Sequence, residues 1–245
     1  MDLKITGKRV LVLGSSRGIG KGIAKVLVNE GAVVALCSRN EEHLRAAQRE
    51  TGAECYIIQD LREPSAGRKV VEMAIGKLGG VDILITNSGG PPNKQFEDTT
   101  SEDWQEAFAN LWLSTVESIQ TALPYMKKRR WGRIILLTSI AAKEVVANLI
   151  LSNSYRAGLL GLMNTLKKEI APFNISINSI LPGFTRTERL VELGMDLAKL
   201  EETIPAGRLG KVEELGELAA FLCSDAASYI TGQAIAIDGG YLQGI

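Results

Sequence analysis

"RVLVLGSSRGIGKGIAKVLVNE", residues 9–30, decides how this chain is read. Its first six residues hold a continuous aliphatic run that ends at Gly14. A strand apolar at every position, rather than at alternate ones, is covered on both faces. Three glycines follow in quick succession, Gly14, Gly18 and Gly20, with Ser16, Arg17 and Ile19 among them, and an amphipathic helical pattern runs from Ile19 to Glu30. A strand that turns through glycines into a helix lets its backbone approach a ligand closely. It also aims the helix's leading N–H groups and positive dipole end at one point, which is what a pyrophosphate needs. The spacing is G-x-x-x-G-x-G, not the commoner G-x-G-x-x-G. Gly14, Ser16, Arg17, Gly18, Ile19 and Gly20 are therefore candidate cofactor contacts.

Further along, six more short apolar runs read as strands: 33–37, 55–58, 82–86, 133–139, 175–181 and 234–238, with the first strand at 9–14. Helical patterns fill the gaps, among them 19–30, 41–51, a long one over 104–128, and 212–223. Strands alternating with helices predict an α/β chain with right-handed crossovers. The expected fold is a doubly wound Rossmann fold, a seven-stranded parallel sheet flanked by helices on both faces. No repeat, linker or low-complexity tract divides the chain, so residues 1–245 are expected to form a single domain. Residues 185–210 contain no strand pattern and read as a helical insertion beside the substrate.

The second strand ends in Cys37-Ser38-Arg39. A site for NAD usually places an acidic residue about 20 positions past the glycine loop, to bind the ribose 2′-hydroxyl. Ser38 and Arg39 stand there instead, and Arg17 lies in the loop. Guanidinium groups suit the additional 2′-phosphate, so NADP(H) is expected in preference to NAD(H).

Composition narrows the classes. The chain has 28 Lys+Arg and 28 Asp+Glu, hence no net charge to draw it to nucleic acid or an anionic membrane. No apolar run approaches the roughly 20 residues that span a bilayer. Cys37, Cys55 and Cys223 are distant from one another and form no C-x-x-C pair, which fits a reducing, cytoplasmic setting. His43 is the single histidine and lies in the charged stretch EEHLR, so neither a Ser-His-Asp triad nor a metal site is expected. The basic cluster 127–130 complements the C-terminal dipole of its helix.

Taken together, the residues resemble the short-chain dehydrogenases/reductases over essentially the whole chain. Gly14, Gly18 and Gly20 match that family's glycine loop, with Leu13 where threonine is usual. Asp60, followed by Leu61, matches the acid that contacts adenine. Asn87-Ser88-Gly89 stands for Asn-Ala-Gly after the fourth strand. Asn110 fits the asparagine that supports a proton-relay water, and Pro182, Gly183, Thr185 and Thr187 fit the nicotinamide-side loop. The tail, GRLGKVEELGELAAFLCSDAASYITGQAIAIDGG, is similar to that of 3-oxoacyl-carrier-protein reductases and sugar dehydrogenases.

The resemblance implies a Ser, Tyr and Lys chemistry. The serine polarises the substrate oxygen, the tyrosine moves the proton, and a lysine four residues later lowers the phenol from its usual value near 10 and holds the nicotinamide ribose. Tyr155 invites the tyrosine role, but its lysine position would be Leu159, and it lies three positions past the place set by the spacing from Ser139. Aligning from AGLLGLMNTLKKEIAPFNISINSILPG puts Ser152 at the tyrosine position and Arg156 at the lysine position. The expected catalytic set is Asn110, Ser139, Ser152, Tyr155 and Arg156, with Arg156 also on the cofactor. Tyr155 is turned about 60° from Ser152 around the helix, an alternative acid or a packing residue. Arginine keeps the charge but cannot shuttle a proton.

The leading expectation is an NADP(H)-dependent oxidoreductase acting on a carbonyl/alcohol pair with a non-standard proton donor. The alternative is a catalytically impaired cofactor-binding or scaffold protein of the same fold. Non-redox chemistry of the halohydrin dehalogenase kind, which also carries Arg at the lysine position, conflicts with the intact glycine loop. The substrate is expected to be a small molecule, and Lys143, Arg186 and Arg189 point to an anionic group on it. The resemblance also implies a homotetramer.

Overall fold

The computed structural model describes residues 2–192 and 195–244. Seven parallel strands, β1 (Arg9–Val12), β2 (Val33–Ser38), β3 (Cys55–Ile58), β4 (Ile83–Thr86), β5 (Gly132–Leu137), β6 (Ile175–Pro182) and β7 (Ala234–Ile237), make one sheet. Its order is β3-β2-β1-β4-β5-β6-β7, so the chain works outward from β1 in one direction, returns, and works outward in the other. The cleft at the turnover lies beyond the carboxyl ends of β1 and β4, where ligands bind in such sheets.

Alternation along each strand explains the continuous apolar runs. Val10 and Val12 of β1 enter one core, while Leu11 and Leu13 enter the other. Ile83 and Ile85 of β4 divide from Leu84 in the same way. One face is covered by α1 (Gly18–Asn29), α2 (Glu41–Thr51) and, from late in the chain, α9 (Val212–Cys223). The other is covered by α3 (Ala66–Leu78), α5 (Ser114–Arg129) and α6 (Ile150–Ile170). Each fully buried Leu, Ile or Val contributes about 1.5–3 kcal/mol. Burial also pushes the thiols of Cys37 and Cys223 up to about 12, which leaves them unreactive core residues.

The long helix read over 104–128 is three pieces. α4 (Ser101–Ala107) opens on a Thr100/Asp103 capping box, a π-helical turn spans Phe108–Leu113, and α5 follows. Nothing in the hydrophobic period marks a π turn, because it inserts one residue without changing which residues are apolar; such turns gather at functional sites. Between β6 and α9 lie α7 (Glu188–Glu192) and α8 (Leu197–Glu202), with a single parallel bridge pairing Thr185 and Gly210. Leu193 and Gly194 of that segment lie outside the described residues. Among the described residues no helix is long and apolar enough to cross a membrane, and no cluster of His, Cys, Asp or Glu could hold a metal ion.

Candidate active site

The glycine loop is built from both sides of the cleft. Gly14 has φ +56°, and a Cβ there would lie 2.7 Å from the Asn87 carbonyl oxygen. Asn87, just past β4, donates from Nδ2 to the Gly14 carbonyl at 2.8 Å. Gly20 lies directly beneath that bond, so a Cβ on it would collide with the Gly14 carbonyl and come within 2.7 Å of Asn87 Nδ2. The first turn of α1 is left without a side-chain cap at Arg17, which adopts an extended conformation. A cradle with no room for a side chain at Gly14 or Gly20, closed over a helix start without a side-chain cap, fits a dinucleotide pyrophosphate.

Ser15, which sequence reasoning passed over, fastens this loop to β2. Its Oγ donates to the Val12 carbonyl at 2.7 Å and accepts from the Cys37 amide at 2.9 Å. Ser16 Oγ donates to Ser38 Oγ at 2.9 Å, so two of the expected cofactor residues share one edge of the cleft. Arg39 is exposed beside them, and its charge helps hold the Asp60 carboxyl below the usual range. The larger cause is Arg62, a second omission: it donates to Asp60 through Nε and through Nη2 at 2.7 Å, and its backbone amide joins at 3.0 Å. The sequence Asp60-Leu61-Arg62 carries that signal in its i, i+2 spacing, and Leu61 itself is buried in the core.

Across the cleft, Asn110 sits in the π turn and donates from Nδ2 to the Gly89 carbonyl at 2.8 Å, fixing the loop that carries Ser88 and Gly89. Pro182 ends β6, and Gly183 is pinned to β7 through its amide and the Ile237 carbonyl at 3.0 Å. Thr185 is buried and bonded to the Gly183 carbonyl, and Thr187 returns to within 3.5 Å of where a Gly18 side chain would start. The nicotinamide-side and phosphate-side loops therefore touch.

Ser152 and Arg156 are buried one helical turn apart on α6, 6% and 8% exposed. Arg156 donates from Nε to Ser152 Oγ at 3.1 Å. Its Nη1 donates to the carbonyls of Leu137 and Thr138 at 3.1 and 2.7 Å, at the end of β5, next to Ser139. Burial, with a smaller contribution from Arg189, pushes the guanidinium down to about 10, so it remains a cation at neutral pH. Ser139 Oγ accepts from the Ala141 amide at 3.1 Å, which starts the turn beyond β5.

Tyr155 does not join this group. Its hydroxyl donates to the Trp104 carbonyl at 3.0 Å, and its ring packs against Trp104 and Phe108. Burial raises its pKa, the opposite of what a proton donor near neutrality requires. Of the two roles open to Tyr155, the geometry matches packing: the turn of about 60° carries the ring to α4 rather than into the cleft.

Beyond Ser139 a cavity of about 410 Å³ opens, lined by Ile140, Glu144, Val146, Thr203, Tyr241 and Leu242. Its far wall is the C-terminal segment. Glu144 accepts from the amides of Gln243, at 2.8 Å, and Gly244, while Tyr241 packs edge-on against Phe184 at 5.1 Å. Sequence separation near 100 hides that pairing from any local pattern.

Comparison with known proteins agrees with the architecture. A family model described as enoyl-(acyl carrier protein) reductase matches residues 14–242. A 3-oxoacyl-[acyl-carrier-protein] reductase from Aquifex aeolicus is 34% identical over 98% of this chain and 99% of its own length. The L-sorbose reductase of Gluconobacter frateurii, solved with NADPH and L-sorbose, superposes with a TM-score of 0.93 at 31% identity, each chain covered in full. A 3-oxoacyl (acyl-carrier-protein) reductase from Agrobacterium tumefaciens with NADP bound gives 0.91 at 32% identity, over 97% of this chain and 95% of that one. With its glycine cradle, its sheet order and these likenesses over nearly its whole length, the chain belongs to the short-chain dehydrogenase/reductase family of NAD(P)-dependent oxidoreductases.

Proposed function

We propose that the chain is an NADP(H)-linked reductase of a small carbonyl compound in which Ser152, polarised by Arg156, hydrogen-bonds the reacting oxygen. The observation that carries this reading is the 3.1 Å bond from Arg156 Nε to Ser152 Oγ. Because that oxygen accepts from a cation, its own hydroxyl proton is directed elsewhere and is made a stronger donor. The nicotinamide, when bound, supplies the hydride. Ser139 lies beside the same strand end as a second hydroxyl. Serine is a far weaker acid than a phenol, so the bond stabilises developing negative charge on the substrate oxygen, and solvent supplies the net proton. Ser38, Arg39 and the relatives solved with NADPH or NADP support the phosphorylated cofactor. The same reading makes residues 1–245 one domain with 185–210 beside the substrate, acting as a cytoplasmic homotetramer.

The test is NADPH oxidation across a panel of aldehydes and ketones, with cofactor binding followed separately by thermal shift. Turnover above buffer with NADPH, and much less with NADH, is expected. Stabilisation by NADPH with silent kinetics throughout would instead favour a cofactor-binding protein that has lost catalysis. That second reading is motivated by the Nη1 bonds that fix Arg156 to the strand end.

Tyr155→Phe separates the two tyrosine roles. Turnover is expected to stay within about twofold, and stability to fall by about 1 kcal/mol through the lost bond to the Trp104 carbonyl. A near-total loss of turnover in a variant that still folds would return the tyrosine to the chemistry.

A further inference from the structure

The basic side chains of this protein are distributed unevenly with respect to partners. Arg133, the other buried arginine, has Asp225 at 3.3 Å and the Trp131 ring at 4.4 Å. Arg9 is paired with Asp82, Arg62 with Asp60, and Arg208 with Glu214. Arg186, one of three cations that point to an anionic substrate by sequence, is neutralised by Glu201 at 2.8 Å.

Arg156 has no such partner. Among the described residues its hydrogen bonds go to one hydroxyl and two carbonyls, and no carboxylate pairs with it. Among the described residues its third nitrogen, Nη2, has no hydrogen-bond partner. A buried cation without a counter-charge is costly, and a ligand's anion is one partner that would offset that cost. Arg189 lies on α7 and reaches the loop that follows β4. Its guanidinium rests against Gly90, with one long bond of 3.4 Å to the Gly90 carbonyl and no carboxylate pair among the described residues. Gly90 follows β4, and the carbonyls that hold Arg156 end β5, the adjacent strand. Two guanidinium groups thus stand over neighbouring strand ends. The carboxylate next to the cavity, Glu144, is occupied by the amides of the C-terminal segment. Mutual repulsion between the two arginines is one of the causes that lower the Arg156 pKa.

We propose that Arg156 and Arg189 form a carboxylate-recognition site beside the reacting centre, so that the substrate is a small oxo acid. The inference rests on the reductase reading for the word substrate, but the site is defined by binding alone. With Nε and Nη1 of Arg156 committed to Ser152 and the strand end, its Nη2 is left for one carboxylate oxygen, and the planar guanidinium of Arg189 is left for the other.

Pyruvate, 3-oxobutanoate and 4-oxopentanoate are each compared with the corresponding methyl ester, at matched ionic strength. Binding is followed by calorimetry on the NADP-loaded and unloaded protein, and turnover by NADPH oxidation. At least one acid is expected to bind saturably and about 10- to 100-fold more tightly than its ester, the scale of a charge-assisted bond. Arg189→Gln should reduce that preference to about threefold or less while NADPH affinity stays within about twofold, and Arg186→Gln should leave the preference unchanged. The proposal is overturned if acids and esters bind alike. It is equally overturned if Arg189→Gln weakens NADPH in the same proportion, which would assign the arginine to the cofactor phosphates. Carboxylate binding without turnover in any pair would retain the site and remove the reductase reading; turnover of neutral ketones with no acid preference would do the reverse.

Discussion

Gly20→Ala is expected to abolish measurable NADPH binding at micromolar protein, raising the Kd by about 10²–10⁴-fold. One methyl group is a small change, and its effect comes from where it points. The new carbon would enter the contact between the Gly14 carbonyl and Asn87 Nδ2, and would also come within 2.9 Å of the Ser15 Cα. None of these is the free end of a flexible side chain. Gly14 and Ser15 are backbone, and Asn87 is held by its own 2.8 Å bond. The loop must open, at a cost of about 1–3 kcal/mol in packing. With it move the loop amides, each worth about 1.5–3 kcal/mol to a charged partner such as a phosphate. Two such bonds account for the expected range. Calorimetry and the fluorescence of bound NADPH measure it, and circular dichroism establishes that the sheet persists. A Kd within about threefold of the parent would mean that the cradle does not hold the cofactor.

Arg156→Leu is expected to lower kcat/KM by about 10²–10³-fold, the usual consequence of removing a donor that stabilises developing negative charge on the substrate oxygen. Ser152→Ala should lose a similar amount, and the double variant scarcely more, because the two act as one unit. Arg156→Lys should recover part of the loss: an ammonium can reach Ser152 or the β5 carbonyls, but cannot reproduce the fork that serves both. Stability distinguishes this from simple unfolding. Leucine leaves the Leu137 and Thr138 carbonyls without a donor, yet removes a buried charge that has no carboxylate partner, so the two effects oppose each other. The melting temperature should therefore change little while turnover collapses. Additive losses in the double variant would show that Ser152 and Arg156 work separately.

The central strands were legible because they are buried on both faces, and that burial writes itself into the sequence as an unbroken apolar run such as 83–85. The glycine loop was legible for a related reason, since a cradle that excludes Cβ atoms leaves only one residue type possible. Side-chain direction was not legible. Tyr155 and Ser152 are three residues apart on one helix, and only the placement of Trp104 and Phe108 determines which of them faces the cleft. The π turn at 108–113 was hidden for want of any compositional mark. Arg62 was overlooked because a surface arginine has no periodicity, and its role appears only once Asp60 is seen to be its partner.

The wall that Glu144 holds closed has a consequence for how the molecule is made. β1 to β4 pair with one another, with β4 also reaching β5, and they carry the glycine loop and Asn87, so the phosphate side of the cleft is laid down by residues up to about 90. The cavity beyond Ser139 has no far side until Tyr241, Leu242 and Gln243 arrive. A chain emerging from the ribosome, whose N-terminal portion folds first, lays down its glycine loop well before the loop at 182–187 and the wall of that cavity exist.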